Sequence, residues 1–265
     1  MPAHTVWAQD PDQPPTPHQQ AAGIVAEELA MSNASAAIER LTAQQPATMA
    51  QSIRQQLALE AASYDFRVAA RQEEVMVYGL AGYASVQSAV VPLIPSSSVQ
   101  GAFGDAIAGL HSLYILEGID AYYLVNAHFL HPYSDAAPLS DLKSYYAEAQ
   151  RLYGVDPSYL ASINYIESNF GRVNGPSSAG ALGPMQFLPG TWADYGDGGN
   201  VYDPRAAILA AARYLVHYGA PGNMRQAIFH YNLDYDYVDA VEYFASAFRA
   251  DPGWLDRMFY WNTTG

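Results

Sequence analysis

No segment of this chain alternates apolar and polar residues at the two-residue period of a half-buried strand, whereas helix boundaries are written into it repeatedly. At Asp156-Pro157 and Asp203-Pro204, a side chain that accepts from free backbone N–H groups directly precedes a residue that favours the first helical position. Apolar residues recur behind both pairs, to about Phe170 in the first case and to Tyr218 in the second. Ser140 to Tyr153 reads as a helix through Leu142, Tyr145, Tyr146 and Ala149, with Ser140 as its cap and Gly154 as the left-handed residue that ends it. Arg225–Tyr231 and Tyr237–Phe248 read as two more, while Gly171 to Gly190 is rich in loop residues. The fold class is therefore all-α.

The first half follows the same grammar. Residues 1–19 are rich in Pro, Gln and Asp and read as a disordered lead-in. From about Ala21 to Glu74, Ile24, Leu29, Ile38 and Leu41 recur near helical spacing, and Pro46 divides the stretch into two helices. No charged residue stands between Glu74 and Asp105. Val75 to Pro95 within it is long enough to span a bilayer, but it carries Ser85, Gln87, Ser88 and two glycines. A buried helix or packed loop is the favoured reading, and contact of residues 75–95 with a membrane is the alternative. Residues 105–130 form a further amphipathic helix through Ile107, Leu110, Leu113, Leu116, Tyr123 and Leu124. The turn-rich HPYSDAAP at 131–138 marks a boundary. The expected organisation is a lead-in at 1–19, a helical N-terminal domain of unassigned role at 20–138, a second domain at 139–250 and a tail at 251–265.

Composition removes several functions. The net charge of −14, with a single lysine at Lys143, makes phosphate contacts scarce, so nucleic acid is excluded as a general partner. Anionic membrane surfaces should repel the chain as well. The absence of cysteine excludes disulfides, thiolate metal sites and cysteine nucleophiles. Charged residues are 14% of the chain against a usual ~25%, while tyrosine occurs 21 times, a polar but uncharged composition suited to neutral ligands such as sugars. The first residues, MPAHTVWAQDPDQPPTPHQQ, show neither a basic n-region nor an apolar h-region, so no signal peptide is read there. His128 and His131 have a metal-compatible spacing but no third ligand, and no metal or other cofactor is expected.

Chemistry concentrates in the second half. On a helix, Ile163 and Phe170 lie four residues before and three after Glu167 and share its face. A carboxyl among apolar groups is poorly solvated, its pKa rises, and it stays protonated near neutrality as a general acid requires. The run SSAGALGPMQFLPGTW from Ser177 to Trp192 follows, with glycines at 180, 183 and 190. Ser177 and Gln186 can hydrogen-bond sugar hydroxyls and acetamides, and Met185, Phe187 and Trp192 can line an apolar wall. Tyr231 and Asn232 stand together in FHYN.

In this order the segments resemble the catalytic domain of soluble lytic transglycosylases, relatives of goose-type lysozymes, over residues 139–250. YGVDPSYLASINYIESNFG resembles the family's first motif with Glu167-Ser168 as its Glu-Ser pair, and Gly183–Gln186 stands for the Gly-Leu-Met-Gln of the second. DPRAAILAAARYLVHYGA and AIFHYN resemble the third and fourth. The wording of the second motif is most similar to forms from high-GC Gram-positive bacteria and their phages. The resemblance implies a helical lysozyme-like lobe whose partner is the glycan strand of peptidoglycan, cut between N-acetylmuramic acid and N-acetylglucosamine. It implies Glu167 as the single catalytic acid and later base, the substrate's acetamide as internal nucleophile, and a 1,6-anhydro product. Ser177, Met185, Gln186 and Tyr231 map onto substrate-binding positions, with Tyr231 orienting Glu167 and Asn232 supporting them. The location implied is the cell envelope or the extracellular side, including a larger envelope or virion assembly. The sequence departs from Gram-positive relatives in DYGDGGNVYDP, where Asp194, Asp197 and Asp203 remain but no calcium loop with a terminal Glu does. Two alternatives stand beside this reading: a muramidase of the same fold, in which Asp194 or Asp197 holds a water, and a murein-binding structural component of a phage tail or secretion assembly with little turnover.

Overall fold

The computed structural model describes residues 15–82, 84–118, 134–173 and 175–261. The chain groups into two compact units, Met1–Gln100 with Tyr260–Gly265, and Gly101–Phe259.

The first unit is built on two long helices, α1 (Pro17–Thr42) and α2 (Met49–Ala81). Both open with a capping box: Thr16 accepts from the Gln19 N–H and Thr48 from the Gln51 N–H, while the glutamine side chains reach back. The Thr16 cap starts α1 at Pro17, so the end of the expected lead-in is helical. Pro46 lies in the connection between the helices, as its missing N–H requires. The helices pack antiparallel: Gly23 faces Met76, and Met31 packs with Ala69, Ala70, Phe66 and Tyr260. Phe66 and Tyr260 meet edge to face at 5.7 Å. Residues 75–95 run through the end of α2 into α3 (Ala84–Val90) and a 3-10 turn, Val91–Leu93. Met76, Val77, Leu80, Val90 and Ile94 are buried, and Val75 is exposed. Among the described residues no single helix is long and apolar enough to cross a membrane; Met49–Ala81 and Ser85–Leu93 pass that test only as a pair bent by 116°.

Part of the helix expected over 105–130 is observed as α4 (Ser97–Glu117); Tyr123, Leu124 and His128 of that expected span, and His131 after it, lie outside the described residues. Phe103 of α4 packs edge-on against Trp254 at 5.7 Å, and Gly109 sits against the Phe244 ring. These contacts hold residues from 101 onward in the second unit, so Pro138 falls inside that unit.

The other helices of the second unit are α5 (Leu139–Tyr153), α6 (Pro157–Ser168), α7 (Pro189–Tyr195), α8 (Pro204–His217), α9 (Met224–Tyr231), α10 (Tyr235–Ala250) and α11 (Trp254–Phe259). The central one is α6, which packs against α5, α8 and α10. Its Leu160, Ala161, Ser162, Ile163 and Asn164 are all buried, each large apolar side chain contributing about 1.5–3 kcal/mol. Asp156 caps α6 by accepting from Ser158 N–H at 2.8 Å, and Asp203 caps α8 by accepting from Ala206 N–H at 2.7 Å. Gly154 ends α5 at φ 73°, in the left-handed region.

Three local expectations are corrected. Ser140 is not a cap: the extended backbone of Pro138 starts α5 at Leu139, and Ser140 lies within the helix. Helix α6 stops at Ser168, since Asn169 and Phe170 turn left-handed at φ 49° and 61°. The expected tail contains α11, whose Trp254 and Met258 are fully buried. Removing that much apolar surface from water is reason enough for the segment to fold.

Candidate active site

Glu167 occupies the last turn of α6, the helix most deeply packed in its unit. The residue keeps part of its surface open to solvent, but protein surrounds its carboxyl. Burial pushes its pKa up to about 7, opposed by a hydrogen bond from Tyr237. That bond runs from the Tyr237 hydroxyl to Glu167 Oε1 at 2.6 Å. Tyr237 lies in the first turn of α10 and is itself 1% exposed. Burial foremost, and then the nearby Glu167, hold the hydroxyls of Tyr237 and Tyr231 well above the usual tyrosine pKa. Both therefore remain donors across the neutral range.

The desolvating wall differs from the one expected. Phe170 has left the helix, so it cannot stack one turn below Glu167. Its ring lies instead against Tyr165 at 5.5 Å and Phe259 at 5.6 Å. A bulky residue at positive φ is costly, of order 1–3 kcal/mol, and burial of Phe170 to 1% offsets that cost. The buried Tyr237 and the neighbouring Tyr231 stand close enough to Glu167 to feel its charge.

Behind Glu167, Ser168 fixes the second motif. Its Oγ donates to the Pro184 carbonyl at 2.6 Å and accepts from Gly171 N–H at 2.8 Å. Asn164 Nδ2 donates to the same carbonyl at 2.8 Å, and its Oδ1 accepts from the Tyr146 hydroxyl at 2.7 Å. Tyr146, Asn164 and Ser168 are all buried, so this chain of bonds satisfies groups that water cannot reach. The turn it holds is closed by paired backbone bonds between Leu182 and Phe187, both 2.9 Å. Gly183 has φ 74°, and a Cβ there would lie 2.0 Å from the Val201 carbonyl oxygen, so only glycine fits.

The expected site residues fall into distinct roles. Met185 is fully buried, so its side chain forms a wall behind the turn and offers no surface to a ligand. Its carbonyl accepts from the Tyr231 hydroxyl at 2.7 Å. Tyr231 therefore anchors the turn, and the hydroxyl bonded to Glu167 is that of Tyr237. Gln186 is half-buried at φ 47°, with Nε2 donating to the Gly183 carbonyl at 2.9 Å. Ser177 is exposed; its Oγ accepts from Ala181 N–H at 3.0 Å, which leaves the hydroxyl proton free for an outside acceptor. Asn232 caps α9 in an extended conformation and is exposed.

An aromatic layer supports this wall. Phe187 contacts Trp192 at 5.5 Å and Tyr231 at 5.9 Å, and Tyr214 meets Tyr231 at 5.4 Å. The Tyr214 hydroxyl donates to the His230 carbonyl at 2.6 Å, and the His230 ring stacks on Tyr218 at 4.2 Å. Asp194, within α7, and Asp197, just after it, are exposed, and the Asp203 carboxylate is taken up by its cap. Among the described residues no three His, Asp or Glu side chains gather closely enough to hold a metal ion. The arrangement thus offers one half-hidden acid beside a rigid turn with amide and hydroxyl groups at its surface.

Comparison with known proteins bears on the same segment. Residues 144–235 match the family model of the transglycosylase SLT domain. The membrane-bound lytic murein transglycosylase F of Thiobacillus denitrificans is 32% identical over an alignment covering 44% of this chain and 27% of that protein. The chain thus spans about a quarter of the length of the curated relative it matches. No solved structure matches it.

Proposed function

We propose, from the match of residues 144–235 to the transglycosylase SLT domain, that this protein is a peptidoglycan lytic transglycosylase of lysozyme-like fold acting at the cell envelope. It cleaves the β-1,4 bond between N-acetylmuramic acid and N-acetylglucosamine with Glu167 as its one acid and base. The observation that carries the proposal is the Glu167 carboxyl, held near a pKa of about 7 by burial while accepting one hydrogen bond from Tyr237. Among the described residues no second acid contributes to that shift, which supports a one-carboxyl mechanism.

In the first step protonated Glu167 gives its proton to the glycosidic oxygen as the C1–O bond breaks. The substrate's acetamide oxygen attacks C1 and stabilises the oxocarbenium-like centre. Glu167 is now ionised, and the Tyr237 hydroxyl stabilises that form by a charge-assisted bond. In the second step the carboxylate takes the proton of the muramic 6-hydroxyl. That oxygen displaces the acetamide at C1 and closes the 1,6-anhydro ring, and Glu167 returns to its protonated state without water. Ser177, Gln186 and Asn232 are the substrate-facing groups, while Met185 and Tyr231 hold the turn behind them.

Mass spectrometry of muropeptides released from purified murein tests this. Wild type should yield 1,6-anhydromuramic ends, and Glu167→Gln should release none. Reducing ends from wild type would make the protein a muramidase instead. Binding without release would make it a murein-binding component.

A further inference from the structure

The structure leaves one face of α2 uncovered. Ala50, Ile53, Leu57, Ala61 and Tyr64 follow the three-and-four spacing of a single helix face. All five are exposed, with Ile53 at 54%, Leu57 at 60% and Tyr64 at 58%. The opposite face of α2, through Ala62 and Ala69, is buried. A contiguous apolar stripe on the solvent side of a helix is the kind of surface that marks a contact with a partner.

The charges beside the stripe say what fits it. The chain is strongly acidic, yet α2 carries three arginines against four acids and is close to neutral. Arg54 follows Ile53 and Asp65 follows Tyr64, so the two lie on the same edge of the stripe, near its opposite ends. Both are exposed, and neither forms an ion pair with another described residue. The midpoint between them falls beside Leu59, close to the middle of the stripe. A two-fold axis through that point, perpendicular to an antiparallel helix pair, keeps each edge on its own side. It sets Arg54 of each copy opposite Asp65 of the other, and brings Leu57 within one residue of the level of Ala61. The geometry points to a second copy of this chain as the occupant: α2 pairs antiparallel with α2, an apolar seam bordered by two Arg54–Asp65 ion pairs.

Glu60 lies on the other edge near the axis, where the two copies' carboxylates approach. This edge opposes association, so its neutralisation strengthens the pair.

Sedimentation equilibrium of the full chain at micromolar concentration tests the inference. Wild type should sediment as a dimer. Arg54→Glu exchanges two attractive pairs for two repulsive ones and should raise the dimer dissociation constant about tenfold or more. Adding Asp65→Arg to that variant should restore wild-type affinity, and Glu60→Gln alone should tighten the dimer. All three positions are exposed on a helix, so circular dichroism should report an unchanged fold. A wild-type monomer at tens of micromolar, or a dimer that Arg54→Glu weakens and the double variant fails to restore, overturns the proposal. Wild-type monomer that co-sediments with zwitterionic lipid vesicles would assign the stripe to a membrane surface instead.

Discussion

Replacing Glu167 by glutamine should make the protein more stable at pH 8 and leave its stability at pH 4 nearly unchanged. The folded state holds the Glu167 proton up to a pKa of about 7, whereas an unfolded glutamic acid releases it near its ordinary value of 4.5. Between those values the folded chain binds more protons than the unfolded one, so this group lowers stability as pH rises and leaves it level above about 7. At 1.36 kcal/mol per pKa unit, the shift corresponds to about 3 kcal/mol as an upper bound, and partial access of solvent to Glu167 reduces it to about 2 kcal/mol. Glutamine is isosteric, can still accept from Tyr237, and carries no charge to desolvate. For a unit of this size the gain corresponds to a rise in Tm of roughly 4–8 °C at pH 8. Urea unfolding of wild type and variant at both pH values measures the difference, in which all other titrating groups cancel. An equal difference at pH 4 and pH 8, or a loss of stability at pH 8, would refute the claim that burial of an ionised carboxylate strains this site.

Tyr237→Phe removes the bond that favours ionised Glu167, so the alkaline fall in kcat/KM should move up by roughly one pH unit while kcat drops; an unmoved limb would deny Tyr237 its role. Gly183→Ala meets the Val201 carbonyl in a left-handed backbone and should lose more than about 2 kcal/mol in urea unfolding together with murein cleavage. Asn164→Ala strands the Tyr146 hydroxyl and weakens the hold on the Pro184 carbonyl, at roughly 2–4 kcal/mol by thermal unfolding.

Features that depend on a few neighbouring residues were legible in the sequence. Asp156-Pro157, Asp203-Pro204, Gly154 and Pro46 each act on backbone within a few residues, and each bounds or separates helices where that chemistry predicts. The Thr16–Gln19 and Thr48–Gln51 boxes carry an equally local signal, the Thr-x-x-Gln spacing. The failures involve distant contacts. Helical extrapolation placed Phe170 beside Glu167, yet the Tyr165 and Phe259 rings draw its side chain elsewhere through a strained backbone. Tyr237 lies 70 residues from the acid it contacts, and no periodicity marks it among so many tyrosines. The family resemblance implies that Tyr231 orients Glu167, whereas its hydroxyl donates to the Met185 carbonyl.

The proposed chemistry turns on the protonation of one side chain. A carbon-13 NMR titration of glutamate carboxyls, with the Glu167 signal assigned by its loss in Glu167→Gln, measures it directly. A midpoint close to 7 is the predicted result. A midpoint in the ordinary carboxylate range, near 4.5, would leave no protonated acid at neutral pH and contradict the mechanism.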